Sequence, residues 1–289
     1  MPLQYALVTP TFRLDREQAE FNVETVSHYV APHVRQYLVI DRRDVPLFKH
    51  LASPRVELVT VEDVIPRWIF RAPGVRKFWM SLRSRPIRNW ILQQIVKLTM
   101  PTHVREDVLL YTDSDTFFVA PFDPRALEKD GMPPFFAEVL PDAMGFNDAW
   151  HRVAAELLGL SAEVGPSAGA ATRENYVGNV ICWRRDNVVS MLERVRATTH
   201  RPWQLSIAGQ KVFSEYILYG VYVQRVLGKS SGQWHDSTVR TQSYWGTAPL
   251  SLTQLEKLKA GLQPQHHSVM ISGKSQTPVR DIRKVFAIA

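Results

Sequence analysis

Apolar and polar positions set out the first third of the chain as short strands separated by helices. YALVTP is an apolar run stopped by Pro10, and it predicts a buried strand over residues 5–9. LDREQAEFNVETVSHYV follows, with Phe21, Thr25 and His28 on one helical face and Val23, Val26 and Val30 beside it. That spacing predicts a helix from about 15 to 30. RQYLVIDRRD gives a second strand at 36–40 with Asp41 at its carboxyl end, VPLFKHL a short helix, and RVELVTVEDV a third strand at 55–60. Strand, helix, strand, short helix, strand is how an open parallel sheet begins.

Residues 62–86 break this rhythm with prolines, a glycine, aromatics and arginines. PIRNWILQQIVKLTM restores it. Pro86 suits a first helical turn, and Ile87, Ile91, Ile95 and Leu98 form a stripe to pack on the sheet. Trp90, Gln94 and Lys97 form a second stripe, in which Lys97 by period alone faces solvent. DVLLYTDSDTFFVAPFDP predicts a fourth strand at 107–111 running into Asp113-Ser114-Asp115, then a short extended piece. Further on, strands are expected at 135–140 and 176–183, and helices at 149–160, over NVVSMLERVRATT behind Asp186, from about 210 to 227, and over LTQLEKLKAG. HHSVMISGKS reads as a late strand running into Gly273-Lys274. The expected fold class is α/β, a Rossmann-type, mostly parallel sheet flanked by helices. A single domain over 1–289 is expected, with a ligand-binding half at 1–125 and a second half at 126–289.

Composition narrows the classes. Hydrophobic residues make up 45% of 289, ample for a sizeable core, and 22% charged residues with nineteen prolines and fourteen glycines describe a turn-rich globular chain. A net charge of +7 attracts polyanions, anionic lipid and phosphorylated small molecules without choosing among them. The one cysteine, Cys182, excludes an internal disulfide and a cysteine-cluster zinc site. No run reaches the eighteen apolar residues of a membrane span, and the N-terminus reads as a strand, so a cytoplasmic protein is expected. The basic, aromatic RAPGVRKFWMSLRSRPIRNW leaves a peripheral contact with the inner face of a membrane open.

The chemistry centres on the fourth strand. Open parallel sheets bind ligands beyond the carboxyl ends of their strands, where Asp113 and Asp115 stand. Residues i and i+2 of an extended chain point the same way, so both carboxylates address one point. That suits a hard cation, Mn²⁺ or Mg²⁺, whose other ligands would be water and the oxygens of a diphosphate. A plain Asp-rich turn after a strand is the competing reading.

In this order VTPTF, LVIDRRD and LLYTDSDTFFV resemble the nucleotide-sugar glycosyltransferases of GT-A fold, whose metal motif is Asp-x-Asp. With DRRDVPLF, NWILQQIVKL, YVGNVICWRRD and FSEYILYG they resemble more closely a bacterial family described only as glycosyltransferase-like. The resemblance implies Thr9, Pro10 and Asp41 beside the base or ribose, and Gln94 and Lys97 near the sugar or diphosphate. It implies Asp113 leaning toward the sugar or ribose and Asp115 as the direct metal ligand. A third ligand is expected from His266 or His267, with His235 as a rival, and Gly273 and Lys274 at the diphosphate. The Pro-Trp that follows this lysine in some retaining glycosyltransferases is missing here.

Glycosyl transfer also needs a group to accept the acceptor's proton. Glu215, among aromatics, is the first choice, with Asp236 and Asp142 behind it; a helix cap or an ion pair with Lys211 is the plainer role for Glu215. Asn179 after Gly178 fits either a sugar hydroxyl or a β-bulge. Trp90 reads as core or a lid contact. The 67–88 segment reads either as a loop closing over the donor through Arg71, Arg76 or Arg83, or as a patch for a lipid-linked or anionic glycan acceptor. The expected partners are a nucleotide diphosphate sugar and a glycan or lipid-linked acceptor, and no nucleic acid, since the positive charges are dispersed. The product would belong to a bacterial surface polysaccharide. Two other readings stay open: a nucleotidyltransferase with the same metal logic, disfavoured by the lack of glycine in TPTFRLDREQ, and a non-catalytic domain that binds a nucleotide sugar or nucleic acid.

Overall fold

Tyr5–Pro10 forms β1, the centre of the main sheet, and leads through α1 (Arg16–Tyr29) to β2 (Arg35–Ile40). The computed structural model describes residues 2–75, 77–141, 148–160 and 172–286. After β2 come the short α2 (Val45–Phe48), β3 (Val56–Thr60), the single turn α3 (Val61–Val64), and an excursion of β4 (Ile69–Phe70), β5 (Phe78–Ser81) and β6 (Ile87–Arg88). α4 (Asn89–Thr99) brings the chain back as β7 (Val108–Tyr111), which passes through the acidic turn into β8 (Thr116–Phe118). β9 (Pro134–Phe136), β10 (Glu138–Pro141), α5 (Asp148–Leu158), β11 (Thr172–Asn175) and β12 (Ile181–Arg184) follow. The remainder is α6 (Arg185–Thr199), α7 (Trp203–Ala208), α8 (Glu215–Val221), β13 (Trp234–Asp236), β14 (Thr241–Tyr244), α9 (Leu252–Ala260), β15 (Ser268–Ile271) and α10 (Val279–Val285).

The main sheet has the order β12-β7-β1-β2-β3. β7, β1, β2 and β3 run parallel and β12 runs antiparallel to β7, so the protein is α/β with a central sheet of mixed orientation. The chain steps from β1 to β2 to β3 in one direction, then crosses back to lay β7 on the other side of β1. That reversal lies at the carboxyl ends of β1 and β7, the place where open α/β sheets take ligands. A second sheet, β14-β15-β8, lies beyond the acidic turn. β15 pairs antiparallel with β8 and parallel with β14. One apolar core draws residues from Ala6 to Val223, so the first and second halves of the chain share it. Among the described residues no helix is long and apolar enough to cross a membrane.

Several elements depart from the sequence expectation. Pro86 does not open α4, because Ile87 is claimed by a ladder with Trp79 and the helix starts at Asn89. Lys97 does not face solvent: α7 and α8 pack on α4, and Lys97 is 3% exposed. Trp90, at the first turn, is exposed rather than core. The strand expected at 135–140 is two strands in different sheets, and the one expected at 176–183 begins only at Ile181. Val180 accounts for that late start, because its φ of +57° interrupts the extended chain. The helix expected from 210 starts at Glu215, where the Ser214 hydroxyl accepts from Ile217 N, and passes into π-helical turns at Tyr222–Leu227.

α8 is held by a close approach. Gly220 leaves room for the buried Tyr176 ring, and a β-carbon there would stand 2.1 Å from Tyr176 Cγ. Gly220→Ala should therefore lose about 3 kcal/mol despite alanine's better helix propensity, because the ring must leave its seat. Urea unfolding checks this; a variant as stable as the parent would show that Tyr176 is free to move.

Candidate functional site

β1 and β7, paired neighbours in the main sheet, each lead into acids beyond their carboxyl ends. From β1 the chain turns through Arg13–Asp15, and from β7 it turns through Asp113-Ser114-Asp115. The Asp15 carboxylate lies 3.3 Å from Ser114 Oγ. Asp115 is latched by the segment after β15: Gly273 N donates to Asp115 Oδ2 at 2.9 Å, and Ile271 N donates to its carbonyl at 3.1 Å. A β-carbon on Gly273 would stand 3.8 Å from Asp15 Oδ1 and 3.9 Å from Asp115 Oδ2, so both carboxylates flank this glycine. Asp115 Oδ1 is shielded from solvent and has no hydrogen-bond partner.

These acids repel one another. Burial, then the Asp113 carboxylate, raises the Asp115 pKa to about 7. Burial raises Asp15 to about 6, with the Ser114 hydrogen bond opposing and Asp113 adding to the rise. Negative charge gathered and buried in this way favours the uptake of a proton or a cation.

Asp113 is steered by α4. Its Oδ1 lies 3.1 Å from Lys97 Nζ and 3.2 Å from Gln93 Nε2. Lys97 Nζ also lies 3.3 Å from Glu215 Oε1 and donates to Tyr216 Oη at 3.0 Å. Gln94 Oε1 accepts from Glu215 N at 3.0 Å, tying α4 to the first residue of α8. Burial alone would push the Lys97 pKa down, but Asp113, Tyr216 and Glu215 outweigh it and hold the ammonium well above the usual lysine range. Burial raises the Glu215 pKa, with Lys97 pulling against it. The result is a chain of charges, Glu215–Lys97–Asp113, of which only Asp113 is partly exposed.

The sequence reading brought Gln94, Lys97, Asp113, Asp115, Glu215 and Gly273 forward, and the fold brings all of them together. Glu215 pairs with Lys97, not Lys211, and lies fully behind it. Lys274 is exposed beside Gly273. Asp15, Ser114, Gln93 and Tyr216 were missed. Asp15 carried a signal, since an acid three residues after TPTF lies beyond the carboxyl end of β1.

Other expected residues stand elsewhere. His266 and His267 precede β15 while Gly273 follows it, and four strand residues hold them ~13 Å apart along the strand. His266 Nδ1 accepts from Gln263 N, and His267 Nδ1 contacts Pro121 O at 2.9 Å. Neither adds to the acidic turn, and His235 is exposed on β13. Thr9 is turned into the sheet, its hydroxyl 2.9 Å from Thr112 Oγ1 and accepting from Gln36 Nε2, and Pro10 is buried with it. Asp41 is fully engaged by Arg43 and Arg71, which hold its pKa below the usual range although burial works the other way. Arg71 is thereby a structural tie, not a closing arm, and also stacks over Trp79 at 4.4 Å. Arg83 is exposed. Arg76 and Asp142 lie outside the described residues.

Asn179 and Asp236 line a separate cleft of about 600 Å³, mostly apolar, with Trp150 and Trp245 on its walls. Asp236 is paired with Arg240 and so is not an open base. Asn179 Nδ2 reaches Ser243 Oγ at 3.5 Å, and Val180 N donates to Tyr111 O, so the cleft begins one strand away from the end of β7. The left-handed Val180 costs on the order of 1–2 kcal/mol for a β-branched residue, and such strain gathers where a chain is shaped for binding.

Among the described residues no set of three or more His, Cys, Asp or Glu side chains is arranged to hold a metal ion by itself. A cation here would have to share its shell with water or a ligand. No curated protein matches the chain. One family model, described as a family of unknown function, DUF6492, matches residues 11–284. With all but the two ends of the sequence inside that match, the chain belongs to the DUF6492 family of unknown function.

Proposed function

We propose that the protein is a metal-dependent glycosyltransferase of GT-A-like layout that takes its donor diphosphate at the acidic turn. The observation that carries this reading is the convergence of Asp15, Asp113 and Asp115 at the strand reversal, with the shielded Asp115 Oδ1 left without a partner. The residues fit a hard divalent cation. Asp115 and Asp15 would hold it, and substrate oxygens and water would complete its shell. Bound there, Mn²⁺ or Mg²⁺ supplies charge stabilisation to a departing diphosphate.

The chain's own groups supply the rest. Asp113, oriented by Gln93 and Lys97, offers its second oxygen to a sugar or ribose hydroxyl. Glu215 acts through Lys97 as a positioning residue, keeping the ammonium charged and fixed. Lys274 beside Gly273 gives an exposed cation for a phosphate. The apolar cleft with Trp150 and Trp245 suits the acceptor, since sugar faces stack on indoles.

A calorimetric panel of uridine, guanosine and thymidine diphosphate sugars with and without Mn²⁺ tests the reading. One donor is expected to bind only with the metal and to release nucleoside diphosphate when acceptor is added. Release of pyrophosphate from a nucleoside triphosphate would point to nucleotidyl transfer instead. Binding to none, with or without metal, would sink both.

A further inference from the structure

We infer that the outward face of the β4-β5-β6 meander is a docking surface for an anionic lipid bilayer. The alternation along these strands is the reverse of a solvated edge. Ile69, Trp79 and Ile87 point inward and are buried, while the opposite face carries Phe70, Phe78, Met80 and Arg88. Cross-strand pairing sets Phe70 against Met80 and Phe78 against Arg88, which makes one continuous apolar surface with a basic edge. Leu82, at the loop beyond β5, is 77% exposed. Trp90 follows β6 and is also exposed, with the Arg88 guanidinium 5.8 Å from its ring centroid.

The charge that this segment itself carries has one sign. Residues 67–88 contain seven Lys or Arg, and no Asp or Glu occurs anywhere from 64 to 105. Arg67, Lys77, Arg83 and Arg85 are exposed, and none of them is paired with a carboxylate among the described residues. Arg88 Nη2 bonds the carbonyl of Lys211, which brings Lys211 and the exposed Val212 to the same rim. Aliphatic and aromatic side chains ringed by unpaired cations match a layer of acyl chains under anionic headgroups. A polynucleotide would leave Leu82 and Met80 in water. α4 runs straight from the meander, and Lys97 lies only ~12 Å along it from Asn89. A surface-held acceptor would therefore be delivered near the acidic turn, although the docking itself does not depend on the glycosyltransferase reading.

Cosedimentation of the full chain with vesicles tests this, using phosphatidylcholine alone and phosphatidylcholine with about one third phosphatidylglycerol. The protein is expected to pellet with the mixed vesicles and to be released by added salt. Arg83→Ser/Arg85→Ser should weaken binding about tenfold or more, each cation near an anionic surface being worth about fivefold. Phe78→Ser/Leu82→Ser should weaken it to a similar degree. Both variants should melt like the parent, because these side chains are exposed. A parent that stays in the supernatant, pellets equally with phosphatidylcholine alone, or is unaffected by the substitutions would overturn the inference. So would RNA binding or self-association that is lost in the same variants, since the surface would then belong to that partner. Neither metal nor donor is present in the assay, so its failure would leave the diphosphate site untouched.

Discussion

Asp115→Asn is expected to raise the melting temperature of the metal-free protein by about 5 °C at pH 8 and by much less at pH 5. The direction follows from the raised pKa. A carboxyl whose pKa is near 7 folded and about 4 unfolded is no burden below pH 4, where both states are protonated. As pH rises from about 4 to 7 that advantage is lost, and above it the fold carries an ionised, shielded carboxylate in full. Three pH units would correspond to about 4 kcal/mol; discounted for partial solvation, about 2 kcal/mol remains. Asparagine can still accept from Gly273 N, and its amide turns a donor toward the acidic neighbours. Mn²⁺ should stabilise the parent, more at pH 8 than at pH 5, and leave the variant unmoved. Melting curves that show the same shift at both pH values would mean that Asp115 is not a strained acid.

Lys97→Met has the larger expected effect, in the opposite direction. It leaves Glu215 buried and Asp113 without its cation, and breaking a buried ion pair from one side costs about 3–5 kcal/mol. Without the lysine Glu215 is free to protonate, so the loss should be smaller at pH 5 than at pH 8. The double variant Lys97→Met/Glu215→Gln should recover about half of the stability, because no buried charge is then left alone. It should not recover donor binding, because Asp113 has lost its guide. Denaturant titration of the four proteins of this cycle at two pH values reads the stability, and calorimetry with donor and Mn²⁺ reads the binding. Recovery of binding in the double variant would show that Lys97 serves only the fold.

The strands around β1 and the acidic turn after β7 were legible because each is a local pattern: an apolar run, a stop, a polar end. The strand reversal that makes the turn a site was not, since order in a sheet depends on pairing between distant segments. Lys97 shows the limit of periodicity, because its stripe is polar by composition yet covered by α8, which arrives more than a hundred residues later. The histidines failed for a metric reason. HHSVMISGK looks compact as text, but an extended strand spreads it along the edge of β8. Asp15 was hidden because the helix pattern absorbed it, although the strand it follows lies directly beside β7.

Asp115 is gripped twice by a segment distant in sequence, through Ile271 and Gly273. During synthesis, domains take shape from the amino end as residues emerge. The acidic turn is translated first, and its seat is made only when residue 273 has left the ribosome. A product that ends between residues 184 and 271 thus carries every strand of the main sheet and lacks both backbone donors that hold Asp115.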